Sequence, residues 1–163
     1  MSGAPKTVVV GYDGTAPAER AMQRAAEYAR AFAAKVVVVS VAAPQPLAEV
    51  GTPGAFGLLP YYAYPAGGPG QVVERDEQLW EQHREHVQKL FADADLQVEF
   101  AGVAGDPAQQ LVDAAEQHQA KLIIVGTREP GFLERLLGGS VSQDVARRAH
   151  RDVLIVHPGG EQD

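Results

Sequence analysis

Thr7-Val8-Val9-Val10-Gly11-Tyr12-Asp13-Gly14-Thr15 is the stretch whose reading decides the fold. Three consecutive valines leave no polar face, which suits a strand covered on both sides, as in a parallel sheet. Gly11 and Gly14 then permit a tight turn around Asp13. Pro17 to Ala34 follows, rich in Ala, Glu and Arg, with Ala21, Met22, Ala25, Tyr28, Ala29 and Phe32 at helical spacing. The unit is strand, glycine turn, helix. It recurs outward along the chain. Lys35 to Ala42, Lys121 to Gly126 and Asp152 to His157 carry similar apolar cores, while Leu96 to Val103 alternates, as an edge strand does. Gln71 to Ala94, Asp106 to Gln119 and Ser140 to Ala149 read as the intervening helices. Asp106 with Pro107 and Gln109 is a start signal, and Ser140 with Gln143 repeats it.

Strands alternating with helices predict an α/β fold with a five-stranded parallel sheet and right-handed crossovers. The expected strand order is 3-2-1-4-5, in one domain spanning 1–163. In that order the chain reverses its winding between the first and fourth strands, and ligands bind at the carboxyl ends there.

The chain has 163 residues and a formal net charge of −7. That balance argues against coating a nucleic acid, which relies on clustered Lys and Arg. The Arg147-Arg148-Ala149-His150-Arg151 cluster reads instead as a helix C-terminus. No cysteine is present, which removes disulfides, thiolate nucleophiles and Cys-based zinc sites. Met1 to Lys6 lacks the features of a signal peptide, and no apolar run approaches the ~20 residues of a membrane helix. The expectation is a soluble cytoplasmic protein.

Residues 43–70 hold Pro44, Pro46, Pro53, Pro60, Pro65 and Pro69 among many glycines, so a long loop is expected there. The Tyr61-Tyr62-Ala63-Tyr64 cluster within it reads as a lid, a partner surface or packing over the sheet end. The 159–163 tail is expected to be flexible. His83 and His86 stand among Glu81, Gln82, Arg84 and Glu85, which reads as a solvated helix face rather than a metal site. His118, His150 and His157 read as surface or element-end residues. Trp80 and Phe91 read as core positions of the second helix.

Two constellations bear on chemistry. In Gly11 to Thr15, Asp13 either accepts bonds from a sugar hydroxyl or bonds its own turn. In Gly126-Thr127-Arg128-Glu129-Pro130-Gly131 and Gly138-Gly139-Ser140-Val141-Ser142, a strand enters a glycine-bearing loop that leads to a helix N-terminus. Backbone N–H groups there, with the Ser140 hydroxyl, suit a phosphate, or else serve only as helix punctuation. Neither a Walker loop nor GxGxxG after the first strand is present. No GxSxG elbow supports a hydrolase triad. A phosphoacceptor receiver needs an acidic pair after the first strand, but Asp13 stands alone in Gly11 to Thr15. A flavodoxin needs a hydroxyl-rich loop there, and this one is too poor in hydroxyls.

These stretches, together with Gly105-Asp106-Pro107-Ala108, Leu122 to Arg128, and Arg135 through Val156, resemble the universal stress protein family. The resemblance covers nearly the whole chain except residues 43–70 and the tail. It implies a flavodoxin-like, Rossmann-like α/β sandwich, often dimeric through the last strand, here Val153 to Val156. It also implies a stress-response regulator binding an adenine nucleotide (ATP, AMP or cyclic AMP), with Mg as a further option. Carried onto this chain, the strand-one aspartate is Asp13 and the adenine-facing valine is Val41. The motif glycines are Gly126 and Gly139, and the hydroxyl is Ser140. With their neighbours, the expected contacts are Gly11, Asp13, Val41, Val125, Gly126, Gly139, Ser140 and Val141. No catalytic or resident metal site is implied, and at most a slow ATPase. One position departs: Glu129 replaces the middle motif glycine. Two like charges ~4 Å apart repel by about 1 kcal/mol in water and by more in a drier site. Glu129 therefore supports an alternative, a dimeric interaction protein of the same fold that binds no nucleotide.

Overall fold

The computed structural model describes residues 6–42, 69–127 and 141–158, with the backbone alone for 69–74. The strands are β1 (Thr7–Gly11), β2 (Lys35–Ala42), β3 (Val98–Ala104), β4 (Leu122–Gly126) and β5 (Asp152–Val156). The helices are α1 (Ala16–Phe32), α2 (Pro69–Leu90), α3 (Pro107–Gln117) and α4 (Val141–Arg148). The strands form one parallel sheet, as the alternating pattern predicts, in the expected order β3-β2-β1-β4-β5. α2 opens on Pro69, two residues inside the expected loop, where a proline is tolerated because the first helical N–H has no partner. The rest of that loop, the Tyr61 to Tyr64 cluster and the tail lie outside the described residues.

The valine runs explain the layering. Successive residues point to opposite faces of a strand. Val8, Val10, Val36, Val38, Leu122 and Ile124 therefore pack with Ala21, Met22, Ala25 and Ala29 of α1 and Val87 of α2. Val9, Val37, Val39, Ile123 and Val125 pack with Leu111, Val112 and Ala115 of α3 and Val145 of α4. Thr15 caps α1 and Asp106 caps α3, its carboxylate accepting from Gln109 N at 3.0 Å.

One expectation about the core needs correction. Phe32, read as part of the apolar stripe of α1, is 51% exposed because it falls on the outer edge of that stripe. Phe32 instead packs at a tilt against Tyr28. The basic cluster serves helix ends, as expected. Arg151 donates to the carbonyls of Ala115 and Ala120, Arg148 pairs with Asp106 at 2.6 Å, and Arg147 pairs with Asp144.

Candidate functional site: the carboxyl rim between the first and fourth strands

β1 lies between β2 and β4, with Gly11 opposite Val39 and Val10 opposite Ile124. Two residues further along each flanking strand come Val41 and Gly126. Gly11, Val41 and Gly126 thus share one rim of the sheet, at the point where the winding reverses. Val41 is half-buried against the α3 face, and Val125 is buried there. Gly126 is pressed against α1: a β-carbon there would lie 2.1 Å from the Pro17 carbonyl oxygen. Only glycine fits. Val141, the first residue of α4, is exposed. Gly139, Ser140 and Glu129 lie outside the described residues.

Asp13 stands exposed in the turn after β1. Its Oδ1 accepts from Thr15 N at 3.0 Å and from Thr15 Oγ1 at 2.5 Å. The turn reading of Asp13 therefore holds, and the turn also fixes the carboxylate at the rim. Gly14 follows at φ +80, a left-handed conformation in which a side chain is strained.

Around this turn the structure gathers side chains that sequence reasoning did not place together. His83, expected on a solvated face, is buried. Its Nδ1 lies 2.7 Å from Ser40 Oγ, a hydroxyl with no exposed surface on β2. Its ring meets Tyr12 edge-on at 5.0 Å, and its Nε2 is 3.1 Å from where a Gly14 β-carbon would sit. His86, exposed as expected, stacks on Tyr12 at 5.7 Å and reaches Glu19 Oε1 with Nε2. Tyr12 donates its hydroxyl to the same oxygen at 2.9 Å. Burial holds His83 below the ordinary histidine range; Asp13 opposes that shift and His86 reinforces it. Burial and the Glu19 hydrogen bond push the Tyr12 hydroxyl well above its ordinary value. The signal was present in the sequence: Asp76, Trp80, His83, Val87 and Phe91 form one helical stripe, and Ser40 interrupts an all-valine strand. Trp80 completes the arrangement, its indole lying on Gly102, the β3 neighbour of Ser40. Among the described residues no group of three His, Cys, Asp or Glu side chains is placed to hold a metal.

The Universal stress protein family model matches residues 5–157. The chain belongs to the universal stress protein family. Universal stress protein Rv1636 of Mycobacterium tuberculosis is 34% identical over 152 residues, covering 93% of this chain and 96% of that one. Stress response protein NhaX of Bacillus subtilis is 24% identical, covering 91% and 96%. Among solved structures, MJ0577 superposes with a TM-score of 0.69 at 21% identity, covering 96% of this chain and 98% of that one. A universal stress protein in complex with cAMP superposes at 0.63 with 27% identity, covering 96% and 100%. A universal stress protein from Archaeoglobus fulgidus in complex with dAMP does so at 0.56 with 20% identity, covering 93% and 97%. The fold of this universal stress protein is thus the flavodoxin-like α/β sandwich that the resemblance implied. Among its described residues no helix is long and apolar enough to cross a membrane.

Proposed function

We propose that this universal stress protein is a stress-response regulator that binds an adenine nucleotide at the carboxyl rim between β1 and β4. The observation that carries the reading is the convergence of Asp13, Val41 and Gly126 on one rim. Asp13 offers its carboxylate to ribose hydroxyls, and Val41 offers an apolar surface to the base. Gly126 brings bare backbone close to the ligand. The related cAMP complex, 27% identical over nearly the whole chain, supports the same ligand class. Gly139, Ser140 and Val141 would hold phosphate through amides and a hydroxyl, with Gly11 and Val125 shaping the floor and Mg an optional companion of the phosphates. We read the chain as a single cytoplasmic domain that acts by binding rather than by fast turnover.

It would act as a homodimer. Among the described residues β5 is an edge strand and exposes Leu154, so its outer edge suits a second copy. Equilibrium titration with ATP, AMP and cyclic AMP tests the nucleotide reading. Binding of at least one at micromolar to millimolar concentration is expected, and absence of binding to all three removes the reading.

A second reading rests on Glu129, which stands where a glycine would let backbone approach a phosphate. On that reading the protein works through its dimer and the Pro/Gly/Tyr segment of residues 43–70. Glu129→Gly separates the two. ATP binding that appears only in the variant assigns the parent to the interaction class.

A further inference from the structure

His83 sits where three elements meet. It rises from α2, bonds Ser40 on β2, and backs the Asp13-Gly14 turn that follows β1. Ser40 directly precedes Val41, and Gly14 directly follows Asp13. One imidazole therefore braces the neighbours of both residues assigned to the nucleoside. We propose that His83 is a proton-sensitive positioning residue: uncharged, it holds the Asp13 turn and the end of β2 in register for a nucleoside, and on taking up a proton it releases them. This rests on the nucleotide reading above and adds a regulatory input to it.

The chemistry follows from the surroundings. A neutral ring satisfies Ser40 with one nitrogen as either donor or acceptor. A protonated ring makes both nitrogens donors and places a cation where water is excluded. The charged groups facing the ring act in opposite senses on its charge. Asp13, in the turn, favours the imidazolium and draws it toward the carboxylate, whereas His86, one turn along α2, disfavours it. Tyr12 stays un-ionised and keeps its hydroxyl on Glu19, so neither compensates His83 directly. Ser40, fully buried, offers only a hydroxyl. The charged ring thus moves toward the Asp13 carboxylate and competes with ribose hydroxyls for it. Burial already holds His83 below its ordinary value of 6.5, so the response falls below that pH. Acidification weakens nucleoside binding; neutral pH restores it.

Two measurements on the full chain test this. In the free protein, amide and imidazole resonances are followed by NMR from pH 7.5 to about 5. The Asp13, Gly14, Ser40 and Val41 amides should move with the His83 midpoint, and this movement should vanish in His83→Asn, whose amide occupies the place of Nδ1. Persistence of the same movement in that variant, or its absence from the parent, overturns the proposal. If His83→Asn does not fold, Ser40→Ala serves instead. It removes only the bonded hydroxyl and should shift the His83 midpoint and the Gly14 response together; an unchanged midpoint overturns the assignment. The second measurement is adenosine affinity, chosen because adenosine carries no phosphate to titrate. Between pH 7.5 and 5.5 it should fall by about fivefold in the parent and stay level in His83→Asn. Equal slopes in both proteins overturn the coupling. If adenosine binds at no pH while ATP, AMP or cyclic AMP binds at pH 7.5, the coupling is overturned and the nucleotide reading stands; if none of the four binds, the nucleotide reading fails, whereas the amide titration still shows whether His83 moves the turn.

Discussion

The Cα of Gly126, at the carboxyl end of β4, is backed by the carbonyl of Pro17 in the first turn of α1, so that a β-carbon would fall 2.1 Å from that oxygen. Both partners are backbone, and neither can swing aside. The contact seats α1 against the rim and leaves Gly126 bare on its other side. Gly126→Ala should therefore destabilise the protein by about 2–3 kcal/mol, in the range of overpacking changes. Urea unfolding measures this, and an unchanged midpoint would show that α1 yields freely.

Asp13 combines a structural and a proposed binding role, and the two separate by substitution. Asp13→Asn keeps an oxygen for Thr15 but removes the charge. Folding stability should change by less than about 0.5 kcal/mol, as for an exposed site. Nucleoside affinity should fall roughly tenfold or more, because hydrogen bonds to a charged group contribute about 1.5–3 kcal/mol. Calorimetric titration with cyclic AMP is the check. Equal affinity in parent and variant would remove Asp13 from the site.

Much of this was legible before any coordinates. Val8 to Val10, Val36 to Val39 and Leu122 to Val125 announce doubly covered strands, because short β-branched runs without a polar face suit a strand buried on both sides. The β1–α1 turn and the Asp106 cap were readable from residue chemistry. His83 was legible only in part. Its place on the stripe of Asp76, Trp80, Val87 and Phe91 can be read, but it sits between charged neighbours, and a polar residue on a buried stripe looks like a solvated one until its partner is known. That partner, Ser40, lies 43 residues away, a separation no local pattern reveals. Phe32 misled for the converse reason: an apolar residue at the margin of a stripe ends in solvent.

The pH dependence of stability has a defined sign at acid. His83 is held below its ordinary 6.5, chiefly by burial. Between its folded and unfolded values the unfolded chain binds more protons. Its contribution is complete above pH 6.5 and is lost as the pH falls below it. The exposed Lys35–Glu99 pair acts elsewhere: the Lys35 hydrogen bond holds the Glu99 carboxyl below 4.5, so its small contribution disappears only at lower pH. Unfolding free energy should therefore decline from pH 7 to 5 in the parent and decline less in His83→Asn. Parallel curves would contradict this.

At alkaline pH the sign reverses. Tyr12 is pushed above its ordinary 10.0, by burial first and by the Glu19 bond second. The folded protein holds that proton more tightly than the unfolded chain. Its contribution is complete below pH 10 and is lost as the pH rises further. Ultraviolet titration should show one late-ionising tyrosine that is absent from Tyr12→Phe. Ionisation of every tyrosine near pH 10 would break the assignment.

The proposed dimer rests on β5. Leu154 is 37% exposed on an edge strand, so Leu154→Arg should leave the protomer folded. It should convert a dimer into a monomer in sedimentation velocity. A parent that sediments as a monomer would remove the interface.

The most direct test of the nucleotide site is an amide-resolved NMR titration of the full chain with cyclic AMP. The account predicts that shifts concentrate at Gly11, Asp13, Val41, Gly126 and Val141, leaving the amino-terminal ends of the strands still. No shifts at millimolar ligand, or shifts confined to the groove between α2 and β3 lined by Arg84, Phe91 and Phe100, would contradict it.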